Sequence, residues 1–154
     1  MTTKDNYRKI VVPTDCSGWG NRAVPHAAKI ARAHDAEIIL LFVFKPPASE
    51  FTDQIALAGQ DDQIQQVREQ YKQQLIGLRN ELRNEGFNAR VQFIEGIGVA
   101  HLICDYINGE EDVDLVVMST HGRTGLARFL FGSVARKIVE ACYTPVLLVR
   151  PDRE

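Results

Sequence analysis

The sequence predicts a doubly wound α/β domain, a five-stranded parallel sheet in the order 3-2-1-4-5 with helices on both faces. Two observations carry that prediction. Short β-branched runs alternate with segments of helical periodicity, strand and helix in turn, five times along the chain. Such alternation needs crossover connections, which are the mark of parallel strands and are right-handed. The length is the second: 154 residues with 45% apolar content suit one compact domain with a real core. Residues 1–154 are therefore read as a single domain.

The elements follow in order. Arg8 to Val12 (RKIVV) reads as a buried strand that ends at Pro13-Thr14-Asp15. Ala23, Ala27, Ile30 and Ala31 form one small apolar face of a first helix, with Pro25 inside it unless the helix starts late or kinks. Glu37 to Phe44 (EIILLFVF) is the second strand, stopped by Pro46-Pro47. Lys45 to Gln60 is too long and mixed for an ordinary connection and is expected to be a mobile excursion near the ligand end. Ile64, Val67, Tyr71, Leu75, Leu78 and Leu82 recur at steps of three and four, a second helix that Gly86 ends. Ala89 to Glu95, Asp114 to Ser119 and Pro145 to Arg150 supply the remaining strands. Leu102, Ile103, Tyr106 and Ile107 suit a third helix, and Val134, Ile138 and Ala141 a fourth.

Composition narrows the function. A formal net charge of -2, with both signs scattered, offers no basic stripe to follow a nucleic-acid backbone, so nucleic acid is not expected as a partner. The polar start MTTKDNYRK leads into an apolar run too short for a signal-peptide core, and no stretch approaches a membrane span. A soluble, cytoplasmic protein without membrane insertion is expected. Cys16, Cys104 and Cys142 are odd in number, distant in sequence and without CxxC spacing, which suggests neither a disulfide framework nor a zinc site and fits reduced thiols.

In open α/β sheets the ligand crevice lies beyond the carboxyl ends of the strands where the strand order reverses, here between the first and fourth. The two loops leaving those strands are PTDCSGWGN and STHGRTGLARFLFGS. The second runs from a strand into a helix beginning near Gly132-Ser133. Its glycines let backbone amides approach a ligand, and the helix turns its positive end to the same space. Such a nest holds phosphate without a lysine, through amides and the Ser133 hydroxyl. The bland alternative is that Gly122 and Gly125 serve turns and Gly132 close packing.

Those residues carry a family resemblance. KIVVPTDCS, ILLFV, DLVVMSTHGRTGL, FGSVARKIV and PVLLVR together resemble the universal stress protein family over almost the whole length. Its nucleotide-binding branch has the pattern G-x2-G-x9-G-[ST]. Gly122, nine intervening residues, Gly132 and Ser133 match, while Ser119 stands at the first glycine. Ser119 is small enough for close approach, and strain is expected there if the position requires positive φ. The resemblance implies that Pro13, Thr14 and Asp15 close over base and ribose, with the Asp15 carboxylate accepting from a ribose hydroxyl. It implies an adenine-edge contact through the backbone of Val43, Met118 and Ser119 along the adenosine, and Gly122, Gly132, Ser133 and Val134 around the phosphates. Without a ligand, Val43 and Met118 are core residues and Asp15 a cap for the first helix. ATP is the implied ligand, with Mg²⁺ held mostly by phosphate oxygens, and AMP or ADP also fit these contacts.

Other features have plainer readings. Gly18 to Ala23 (GWGNRA) is a weak dinucleotide fingerprint lacking an acidic residue at the end of the second strand, where Lys45 stands. His121 and Arg123 can reach phosphate oxygens or simply face solvent. Cys16 precedes a helix, a place where a thiol pKa can fall. The last strand is apolar on both faces and should end the sheet, an edge that invites pairing with its twin; the resemblance likewise implies a homodimer through Val146 to Arg150. Three function classes follow: an ATP-dependent regulatory module in a stress response acting on an unknown protein partner, a slow ATPase or autophosphorylating enzyme, and a nucleotide-free dimeric interaction protein. No general base or arginine finger stands out, so the module leads and no catalytic residue is assigned.

Overall fold

Each apolar run forms a strand because its alternate residues feed cores on opposite faces of one sheet. The structure, a computed structural model, describes residues 5–18, 20–46, 54–110, 112–120 and 132–150, with side chains of the long helix described from residue 61. Strands β1 (Lys9–Pro13), β2 (Glu37–Phe44), β3 (Asn88–Glu95), β4 (Leu115–Ser119) and β5 (Val146–Val149) are parallel, in the order β3-β2-β1-β4-β5. Helices α1 (Ala23–His34), α2 (Gln54–Asn84), α3 (Val99–Gly109) and α4 (Ser133–Ala141) connect them, and a 3-10 turn, Gly20–Arg22, leads into α1. The expected sheet order is the observed one, and strand limits differ from expectation by single residues.

Ile10, Val12, Ile38 and Leu40 point to one face, where they meet Ala23, Ala27 and Ala31 of α1 and Leu75 and Leu82 of α2. Val11, Ile39 and Leu41 point to the other, against Ile103 and Ile107 of α3 and Ala135 and Ile138 of α4. The alanines of α1 let that helix lie close to the sheet. Pro25 causes no kink because α1 starts at Ala23, placing the proline in the first turn, where a backbone N–H has no helical acceptor. Gly86 ends α2 with φ +95: its N–H donates to the Arg83 carbonyl and that of Phe87 to Leu82, so two last carbonyls are satisfied.

One expectation needs correction. Of the Lys45 to Gln60 excursion, residues 54–60 belong to α2, which begins at Gln54. The run Gln54 to Ala58 consists mostly of strong helix formers, whose propensity outweighed the mixed look of the segment. Residues 47–53 lie outside the described ones.

Candidate functional site at the strand-order switch

The site begins with a proline. Asp114 donates its N–H to the Lys9 carbonyl, so the odd-numbered residues of β1 face β4. After Val11 the next is Pro13, which has no N–H to give. The β1–β4 register accordingly covers only Ile10↔Leu115 and Val11↔Val116. On its other side β1 continues, and the Thr14 N–H donates to the Leu41 carbonyl at 2.9 Å. The next β2 residue facing that way is Val43, beyond the end of β1, so its backbone N–H and C=O open onto the crevice. Phe44 faces β3 instead, its carbonyl accepting the Gly96 N–H at 3.0 Å.

Nine of the ten expected site residues line one cleft of about 480 Å³ here: Pro13, Thr14 and Asp15 after β1, Val43 of β2, Met118 and Ser119 of β4, and Gly132, Ser133 and Val134 at the start of α4. The tenth, Gly122, lies outside the described residues, as do His121 and Arg123. The cleft straddles the sheet edge. Phe42, Phe44 and Tyr71 wall it on the α2 side, and Val99 and Ile103 of α3 on the other. Gly20, Lys45, Val67, Thr120 and Ala135 complete it.

The loop after β1 holds itself in shape. Asp15 Oδ1 accepts from the Ser17 N–H at 2.9 Å and from the Ser17 hydroxyl at 2.5 Å, and Ser17 Oγ accepts the Gly20 N–H at 2.9 Å. Thr14 Oγ1 donates to Asn21 Oδ1 at 2.6 Å and accepts the Cys16 N–H at 3.1 Å. The sharp bend puts Cys16 at φ 65. Asp15 therefore does not cap α1, whose N-cap residue is Arg22, without a capping side-chain bond. Gly20 was visible in sequence only as part of the weak fingerprint, yet here a side chain would overlap the Asp15 carboxylate and stand 3.2 Å from Thr14 Oγ1. Its role is close approach to the bend, and no dinucleotide is needed to account for it.

Ser119 is unstrained. Positive φ among the described non-glycine residues is confined to Cys16, Asp35 and Asp112. The Ser119 hydroxyl donates to the Gly20 carbonyl at 3.1 Å, tying the end of β4 to the turn before α1. The departure from the motif thus becomes a bond between the two loops of the switch point.

Gly132 also makes a close contact within the protein. Its φ is an ordinary −67, but its N–H donates to the Thr120 carbonyl at 2.6 Å. An added Cβ would stand 3.1 Å from that oxygen. Thr120 is itself buried and donates its N–H to the Val149 carbonyl. Gly132 therefore ties the start of α4 to Thr120, and its amide is committed to protein. The first bond within α4 is Arg136 N–H to Gly132 O, and among the described residues no side chain caps the helix. That leaves the amides of Ser133, Val134 and Ala135, the positive end of α4, at the cleft.

Away from the cleft, Cys142 follows α4 and places its Sγ 3.2 Å from Cys104 Sγ of α3. Burial, then the neighbouring thiol, pushes the Cys142 thiol up to about 12. Their distance in sequence had hidden that pairing. Among the described residues no cluster of three or more His, Cys, Asp or Glu is placed to hold a metal ion, and no helix is long and apolar enough to cross a membrane.

A parallel sheet of this order, with a cleft at the point where the strand order reverses, defines a doubly wound α/β fold whose crevice lies at the switch point. More particularly, the chain belongs to the universal stress protein family, whose model matches residues 6–150. It is 31% identical to universal stress protein MJ0531 of Methanocaldococcus jannaschii, over 96% of this chain and 85% of that one. Its fold is similar to that of UspA from Lactobacillus plantarum, with TM-score 0.82, 23% identity and coverage of 94% and 99%. The structure of MJ0577 from the same archaeon as MJ0531 gives TM-score 0.81 at 27% identity, covering 96% of this chain and 99% of that one. At lower likeness stand family structures from Arabidopsis thaliana with AMP bound (TM-score 0.63, 19% identity, coverage 94% and 92%) and from Archaeoglobus fulgidus with dAMP (TM-score 0.60, 23% identity, coverage 92% and 97%).

Proposed function

We propose that the cleft between β1 and β4 binds an adenine nucleotide, ATP in the first instance, and that the chain is a nucleotide-dependent regulatory module of a stress response. The observation that carries the reading is the meeting of two kinds of open backbone in one cleft: the start of α4, uncapped among the described residues, and the Val43 backbone beyond the end of β1. The first suits phosphate and the second the donor–acceptor edge of a base. The aromatic and aliphatic walls leave an apolar slot between them for a ring. Family relatives with AMP and dAMP bound support an adenine nucleotide as the ligand class.

Within this reading Ser133, Val134 and Ala135 amides take the phosphates, Met118 and Ser119 flank the adenosine, and the Asp15 carboxylate faces the ribose. Mg²⁺ would accompany ATP on the phosphate oxygens, and AMP or ADP would use the same adenosine contacts. The partner is a protein that senses the ordered form. β5 is an edge strand with β4 alone beside it in the sheet, and Leu147 on it is 39% exposed. Association of two copies through Val146 to Arg150 follows from that edge. Sedimentation of Leu147→Lys against the parent chain tests it, with a shift to monomer expected.

For the nucleotide, the protein is denatured after purification and any released nucleotide identified by chromatography and mass; the stripped protein is then titrated with ATP and Mg²⁺ by calorimetry. Saturable binding that Gly132→Val weakens about 100-fold supports the reading. A protein that ignores ATP, ADP and AMP alike overturns it and leaves a dimeric interaction scaffold.

A further inference from the structure

Cys104 and Cys142 meet on the α3–α4 face of the sheet, far from the cysteine of the β1 loop. Cys104 is buried on the inner face of α3, and Cys142 follows the last turn of α4, its N–H donating to the Ile138 carbonyl. Their sulfurs are 3.2 Å apart, so bonding at the usual ~2.05 Å asks for a shift of only about 1 Å. Asn108, one turn along α3, fixes the backbone on either side of Cys142: its Nδ2 donates to the Ala141 carbonyl at 3.3 Å, and its Oδ1 accepts the Tyr143 N–H at 3.4 Å. Neutral hydrogen bonds thus hold the two helices in register without help from the thiols. Cys16, the third cysteine, packs against the core of the opposite face.

We propose that Cys104 and Cys142 are a reversible redox-modification site, closed to an intramolecular disulfide by a hydroperoxide. Cys142, the more exposed member, reacts first: its thiolate attacks one peroxide oxygen, giving a sulfenic acid and hydroxide, which takes up the proton the thiol released. The Cys104 sulfur then displaces the sulfenic oxygen as water, giving up its own proton. Two thiols and one hydrogen peroxide become one disulfide and two waters, and two electrons pass from sulfur to peroxide. Since Cys142 keeps its proton up to about 12, the reaction is slow at neutral pH and quickens as pH rises. It answers sustained oxidation rather than a brief pulse. Closure joins α3, which lends Val99 and Ile103 to the cleft, to α4, which lends Val134 and Ala135. The inference does not depend on which ligand the cleft holds.

The test treats the reduced full-length chain with hydrogen peroxide, then alkylates it in denaturant and maps peptides by mass. The expected result is loss of two hydrogens, a Cys104–Cys142 peptide that dithiothreitol releases, alkylated Cys16, and a melting midpoint several degrees higher in the oxidised form. Cys142→Ser, at the more exposed position, should lose both the linked peptide and the shift, whereas Cys16→Ser should keep both. Full alkylation of Cys104 and Cys142 after peroxide, oxidation stopping at sulfinic acid, or a bond to Cys16 instead would each overturn the proposal.

Discussion

The two ends of the sheet are built from the same parallel strands and treated in opposite ways. At the amino end, side chains close over the strand starts. Asp114 Oδ2 accepts the N–H groups of Arg8 at 2.7 Å and Lys9 at 3.0 Å. Arg90 of β3 donates through Nε to Glu37 of β2 at 2.7 Å and reaches Glu110 at 3.5 Å, while Lys9 stands 3.7 Å from the same Glu110. Hydrogen bonding to Glu37 holds the Arg90 guanidinium above its ordinary range. At the carboxyl end, Arg68 of α2 pairs with Glu95 at the outer strand β3, but among the described residues no ion pair closes the β1–β4 switch. A buried backbone group without a partner is costly, so an end where the ladder stops early must be completed by water or by a ligand. The contrast separates residues that hold the sheet from those that receive something, and mutations at the two ends should show up in different measurements.

The largest effect is expected at Gly132. Valine there must displace the Thr120 carbonyl that Gly132 both contacts and hydrogen-bonds. Re-aiming the start of α4 should weaken ATP binding about 100-fold, or ~2.7 kcal/mol, by calorimetry. Helical content by circular dichroism should be unchanged. Retained affinity would mean that the α4 amides do not hold phosphate, and the contrast between the ends would lose its functional meaning.

Asp114→Ala should act on stability alone. It removes the acceptor for two N–H groups at the start of β1, at a cost of about 1–3 kcal/mol in urea unfolding. ATP affinity should stay the same, since the cleft lies at the other end. Arg90→Ala should cost less, about 1 kcal/mol at most, because Arg90 and Glu37 are both partly exposed to water. Salt should shrink that difference further. A change of nucleotide affinity in either variant would show that the two ends are coupled through β1.

The sheet order could be read before any coordinates because it rests on alternation, which apolar runs and glycines print directly into the sequence. The cleft could be placed for the same reason: Pro13 marks the strand end, and the switch point follows from topology. What could not be read were the hydrogen bonds that decide how each residue serves. Gly132 looked like a phosphate contact, and its amide proved to be engaged with Thr120. Gly20 owes its importance to the Asp15 carboxylate, a packing relation no spacing reveals. The aromatic wall of Phe42, Phe44 and Tyr71 looked like ordinary core because period alone cannot tell a core face from one that runs out into a cleft. Cys104 and Cys142 met only once α3 and α4 were packed side by side.

The last comparison concerns Ser119, the one departure from the family's glycine pattern among the described residues. If the position demanded glycine, Ser119→Gly would relieve strain and raise affinity. Its backbone is not in the left-handed region, so there is no strain to relieve. What glycine removes is the hydroxyl bond to the Gly20 carbonyl, worth about 0.5–1.5 kcal/mol. It also adds backbone freedom at the end of a strand, costing about 0.5–1 kcal/mol more. Stability should therefore fall by about 1–2.5 kcal/mol, while ATP affinity changes by less than about threefold. A rise of about tenfold would mean that the serine side chain obstructs the cleft. A fall of the same size would mean that the bond to Gly20 places the β1 loop for the ligand. In that case the serine would be part of how this chain binds, and the missing glycine would no longer count against the site.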